Sequence, residues 1–135
     1  VHTGDGQNIP PPLTWAGIPK EARSLALLCE DPDAPGSEPF VHWLFANLDP
    51  TEAGTAMSFD AGSPPGLVEG RNGFGRLGYA GPEPPRGHGT HHYHFRLYAL
   101  DSPLRLMEGF SKADLLGEIK GHTLATGEVI GIYSR

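Results

Sequence analysis

The sequence has a single cysteine, Cys29, among 135 residues, which excludes an intrachain disulfide and any zinc site built on cysteine pairs. Long apolar runs are also missing. The longest, Leu25 to Cys29, falls far short of the ~20 residues that cross a bilayer, and the N-terminus shows no basic stretch followed by an apolar one, as a signal peptide would. Positive charge is scarce: 10 Lys and Arg stand against 16 Asp and Glu, for a net charge of -6 with His neutral. No domain-wide field therefore draws nucleic acid or an acidic membrane surface. Gly-x-Ser-x-Gly is absent, and Gly73-Phe74-Gly75 lacks both the third glycine and the following helix of a dinucleotide-binding loop. The lone cysteine fits a reducing compartment, so a cytoplasmic location is expected, although Val1 in place of Met leaves a preceding segment open.

What is abundant is Gly and Pro, with 19 and 14 residues. Both break the interiors of helices and strands, which argues against a helical bundle and for short strands joined by structured loops. The length fits one domain, 1–135, and the expected class is mostly β. Ser24 to Glu30 reads as a central strand, apolar on both faces. A second run, Phe40 to Leu48, alternates Phe40, His42, Leu44, Ala46 and Leu48 on one face with Val41, Trp43, Phe45 and Asn47 on the other. Residues 50–89 read mostly as loop. Thr90 to Leu100 places His91, Tyr93, Phe95, Leu97 and Ala99 on a core face, and Thr90, His92, His94, Arg96 and Tyr98 on the opposite one. Ser111 as N-cap, with Asp114 three residues on, opens a helix over Lys112 to Lys120 that Gly121 can close. Val129 to Tyr133 reads as a last strand.

This pattern forces polar residues inward. His42 and His91 each share a face with apolar neighbours, so both imidazoles need hydrogen-bonding partners or a polar cavity. Asp31 and Asp33 follow the first strand in a turn stiffened by Pro32 and Pro35. A carboxylate beside a histidine favours imidazolium, which donates from both nitrogens. With backbone N–H groups of the glycine loop at Gly81, such a cluster can hold a phosphate or carboxylate group. The plainer readings are a satisfied core histidine, a capped turn and a core tyrosine at Tyr93. A metal reading competes, since four of the seven histidines fall between His88 and His94, but no third ligand is identifiable and no metal or cofactor is assigned. Cys29 reads as core, with no base beside it to activate a nucleophile.

Four segments, in order, carry a resemblance. Asp31-Pro32-Asp33-Ala34-Pro35, His42 to Leu48, Gly78-Tyr79-Ala80-Gly81-Pro82-Glu83-Pro84-Pro85-Arg86-Gly87 and His91-His92-Tyr93-His94-Phe95 together resemble the phosphatidylethanolamine-binding protein family, also called Raf kinase inhibitor protein-like, in its short bacterial and archaeal branch. Asp5 to Leu13 and Gly131 to Arg135 extend the likeness almost end to end. The resemblance implies a large antiparallel sheet packed against a smaller one, with one or two short helices. It also implies a small pocket for anions such as phosphate, acetate or phosphoryl head groups, lined by Asp31, Asp33, Pro35, His42, Gly81, His91 and Tyr93.

It further implies a homodimer and a non-enzymatic binding module. The alternatives are a kinase or protease inhibitor acting through a surface loop around residues 50–75, and a hydrolase or metal-dependent enzyme using the histidine cluster. The sequence departs from the family pattern at His92, where Arg or Lys usually follows the pocket histidine. Without that permanent cation, anion affinity is expected to depend more on pH. The sequence is also expected to lack the segment ahead of residue 1 and the C-terminal helix of eukaryotic members.

Overall fold

The structure, a computed structural model, describes residues 17–32, 39–51, 66–78 and 90–134, with the side chains of 90–92 and 129–134 outside the description. Its frame is one antiparallel sheet of five strands: β1 (Ser24–Asp31), β2 (Phe40–Leu48), β3 (Val68–Glu69), β4 (Thr90–Leu100) and β5 (Thr123–Ser134), in the spatial order β3-β2-β1-β4-β5. Among the described residues a single helix, α1 (Lys112–Ile119), is present, and it joins β4 to β5. The mostly β class holds. The smaller second sheet has no strand among the described residues.

β1 lies between β2 and β4, and every one of its residues is buried, as its apolar pattern on both faces requires. One face packs Leu25, Leu27 and Cys29 with Trp43, Phe45, Tyr93 and Phe95. The other packs Ala26 and Leu28 with Leu44, Ala46, Phe110 and the helix residues Leu115 and Ile119. The helix starts at the expected place: Ser111 Oγ accepts from the Asp114 N–H at 3.1 Å, and the Asp114 carboxylate accepts from the Ser111 N–H at 3.0 Å. This reciprocal pair satisfies two backbone donors that helix geometry leaves open. Gly121, with φ +78°, lies just past Lys120 at the C-terminus.

β2 is not regular. Its pairing with β1 shifts between Cys29↔Trp43 and Glu30↔Val41, and again between Leu25↔Leu48 and Leu27↔Phe45. Each shift is a β-bulge, one extra residue on β2 that bends the strand and re-aims side chains. Asn47, at the second, takes φ +63°, and its side chain bonds both backbone groups of Leu104, donating to the carbonyl at 3.0 Å and accepting from the N–H at 2.7 Å. Asn is one of the few side-chain-bearing residues that tolerate this conformation.

The final strand begins at Thr123, six residues before the expected start at Val129. Its first half, Thr-Leu-Ala-Thr-Gly-Glu, is polar, mostly exposed and interrupted by Gly127. As an edge strand it is held by backbone pairing to β4 from Leu100↔Thr123 to Thr90↔Ser134, not by an apolar face.

Candidate functional site

The first bulge decides where His42 goes. Simple alternation puts His42 with Leu44 and Ala46, but those two belong to the helix-side core. The imidazole instead packs edge-on against Tyr93, ring centroids 4.7 Å apart, and Tyr93 belongs to the opposite core with Cys29 and Trp43. The alternation reading of His42 is thus corrected: the extra residue between Val41 and Trp43 turns it through the sheet to the face that carries Tyr93. Its expected burial holds, at 5% exposure.

Three of the seven expected site residues have described side chains, and all three gather at one end of the central strands. Asp31 is the last residue of β1, not the first of the turn, and is 2% exposed. It stands opposite Phe40 of β2. The β1–β4 register ends at Glu30↔His94, so Asp31 lies one step beyond, on the side toward Tyr93. The backbone of His91 pairs with Tyr133 in the same stretch of β4. The His91 side chain, together with Asp33, Pro35 and Gly81, lies outside the described residues.

Sequence reading passed over a row of rings that continues from this point. Phe40 packs edge-on against His42 at 4.9 Å, and Phe74 packs edge-on against Phe40 at 4.8 Å. Burial falls along the row, from Tyr93 and His42 inside, through half-buried Phe40, to Phe74 at 54% exposure. Phe74 sits in a loop stapled by buried Asn72. The Asn72 Oδ1 accepts from the N–H groups of Phe74 (2.9 Å) and Arg76 (3.3 Å), and its Nδ2 donates to the Gly78 carbonyl at 3.0 Å. The Asn72-Gly73 dipeptide is a turn signal that marks the loop in the sequence. What the loop holds depends on contacts distant along the chain.

That staple also holds Gly78, the last described residue before the segment that contains Gly81. Gly78 has φ +92°, and a Cβ there would lie 3.5 Å from a Glu69 carboxylate oxygen. Glu69 in turn accepts from the Trp43 indole N–H at 2.9 Å. Gly78, three residues ahead of Gly81, therefore lies beside the Glu69 carboxylate of β3.

Other chemistry is weaker. The Cys29 thiol is pushed far up by burial, and further by the carboxylates of Glu30 and Asp31, so it stays protonated and is a poor nucleophile. Ser102, His122 and Asp101 come together at the surface, yet Ser102 Oγ and Asp101 Oδ1 both face the same ring nitrogen, Nδ1, at 3.3 and 2.8 Å. A hydrolytic triad needs them on opposite nitrogens. His94 meets Glu128 at 3.1 Å, and among the described residues no group of three His, Cys, Asp or Glu is arranged to hold a metal. His88, His91 and His92, the rest of the histidine cluster, have side chains outside the description.

With the strand end, the buried histidine and the pocket motifs in place, comparison with known proteins decides the family. The family model for phosphatidylethanolamine-binding protein matches residues 1–134. The chain belongs to the phosphatidylethanolamine-binding protein family. A UPF0098 protein of Methanothermobacter thermautotrophicus is 51% identical over 99% of this chain and 88% of its own length. Among solved structures, a phosphatidylethanolamine-binding protein homolog from Chlamydia trachomatis superposes with a TM-score of 0.87 at 38% identity, covering 99% of this chain and 86% of that one. YbcL of Escherichia coli superposes with a TM-score of 0.86 at 33% identity, over 97% and 83%. The expected family and fold therefore stand. Among the described residues no helix is long and apolar enough to cross a membrane.

Proposed function

We propose that this member of the phosphatidylethanolamine-binding protein family is a non-enzymatic binding module that takes a small anion or phosphorylated group at the end of β1, β2 and β4. The observation that carries the reading is the bulge-driven placement of His42: a buried imidazole against Tyr93, on the sheet face where Asp31 ends β1. A polar ring brought to an interior face at the expense of regular pairing is a feature characteristic of functional sites. In this reading His42 and His91 donate to the ligand oxygens, Gly81 offers its backbone amide, Asp31 and Asp33 orient the imidazoles, and Pro35 and Tyr93 shape the rim.

Two carboxylates next to an anion repel it. Binding therefore needs protonated imidazoles, a protonated carboxyl, or a ligand that carries its own cation, as phosphoethanolamine does. Free histidine titrates near ~6.5, so phosphate affinity is expected to weaken as pH rises from about 6 to about 8. His92, in place of a permanent cation, sharpens that dependence. Calorimetric titration with inorganic phosphate and with phosphoethanolamine at both pH values, on the native protein, His42→Ala and His91→Ala, tests the reading. Either histidine variant binding phosphate as tightly as the native protein would remove that histidine from the site, and no heat with any ligand would remove the site itself.

A further inference from the structure

From the ring row that begins at His42, we infer that Phe74 is a specificity residue of the anion site, a shelf for an apolar substituent of the ligand, so that the site takes a phosphate ester with an apolar group in preference to inorganic phosphate. The inference rests on the anion-binding reading above. Single exposed aromatic residues are ordinary on protein surfaces, and what distinguishes Phe74 is how firmly it is held and where.

The loop that carries it is closed at its neck by the Arg71↔Leu77 bridge. Within it the Asn72 N–H donates to the Arg76 carbonyl at 2.8 Å, the Gly75 N–H to the Asn72 carbonyl at 2.8 Å, and the Arg71 guanidinium to the Gly75 carbonyl at 2.8 Å. The loop is also pinned to the sheet, since the Gly73 N–H donates to the Val41 carbonyl at 2.7 Å. Gly73 is required there: a Cβ would fall 2.3 Å from the Phe40 ring. A loop fastened in this way fixes the backbone from which Phe74 projects, and the ring, 54% exposed, rests edge-on against Phe40.

Position gives the fixed ring its use. Phe74 is two ring contacts from His42, at the solvent end of a row whose burial rises toward Tyr93. A phosphoryl group at His42 would direct its ester substituent outward along that row, where the open part of Phe74 offers an offset or edge-on contact. Such aromatic contacts are worth roughly a three- to tenfold change in binding constant.

Phenyl phosphate and inorganic phosphate, titrated calorimetrically at about pH 6 against the native protein, Phe74→Ala and Phe74→Trp, test this. Phenyl phosphate is expected to bind the native protein roughly three- to tenfold more tightly than phosphate, with the preference lost in Phe74→Ala and kept in Phe74→Trp. Inorganic phosphate affinity should be the same in all three proteins. Phosphate binding with no preference for phenyl phosphate, or a preference that survives Phe74→Ala, would overturn the shelf while leaving the anion site standing. No binding of either compound would overturn both.

Discussion

Glu30 sits on the helix side of β1 at 3% exposure, with Arg96 Nη1 2.7 Å from one carboxylate oxygen and Lys112 Nζ 2.6 Å from the other. The two cations are not equally shut in: their side chains are 42% and 33% exposed, against 4% for Glu30. This asymmetry ranks two perturbations that a count of ion pairs would treat alike. Glu30→Gln removes the buried charge, keeps one acceptor oxygen, and leaves two cations that can turn to water, so a loss of about 1–2 kcal/mol is expected. Arg96→Met with Lys112→Met keeps much of the aliphatic packing but strands a carboxylate in the interior, for about 3–5 kcal/mol. Urea denaturation followed by tryptophan emission gives both losses from the midpoint, provided the slope is unchanged. A Glu30→Gln protein as unstable as the double variant would refute the reasoning, showing that attraction within the cluster and not desolvation of its buried member sets the cost.

Three further outcomes are expected. Cys29 should be inert to a thiol reagent in the folded protein and react at once in denaturant, since burial and the neighbouring carboxylates hold the thiol protonated; rapid labelling of the native chain would contradict this. Hydrogen bonds from His94 and Arg96 hold the Glu128 carboxyl below its ordinary value, so its stabilising effect is present above the usual carboxylate range and fades as pH drops toward its lowered native value. Glu128→Gln should accordingly lower Tm near neutral pH and approach the native protein as pH falls below the ordinary carboxylate range; parallel curves across the whole range would argue against it. Gly73→Ala should lower stability by about 1–3 kcal/mol, because the added methyl meets the Phe40 ring, and should blunt the phenyl phosphate preference as well; full stability in chemical denaturation would mean the loop adapts.

Much of the frame was legible because local signals agreed with the final packing. β1 reads from its doubly apolar run, β4 from its alternation, and α1 from the Ser111 and Asp114 capping pair. The early half of β5 was hidden because an edge strand needs no apolar face, and backbone pairing with β4 can hold Thr, Gly and Glu in place. His42 was recognised as buried but assigned to the wrong face. A strand's period of two holds only while both chains advance in step, and whether they do is settled across the sheet, by Trp43 seating opposite Cys29 and Phe40 opposite Asp31. Asn72 announces a turn, yet its role in presenting Phe74 arises from Val41 and Phe40, some thirty positions earlier.

The two bulges of β2 obey a parity rule. Each inserted residue exchanges odd for even numbers on the two faces beyond it, and a second exchanges them back. Thus Leu48 and Phe40, both even-numbered, stand opposite Leu25 and Asp31, while between them the same face is held by odd-numbered Trp43 and Phe45. His42 is the residue at which the numbering changes sign. Loss of His42 alone would return this end of the strand to regular alternation, with Trp43, Val41 and Phe40 still opposite Cys29, Glu30 and Asp31. Every apolar residue would keep its layer and only the histidine would go. A one-residue loss at this bulge should therefore be tolerated by the fold, and a chain that has undergone it would keep the architecture without the site.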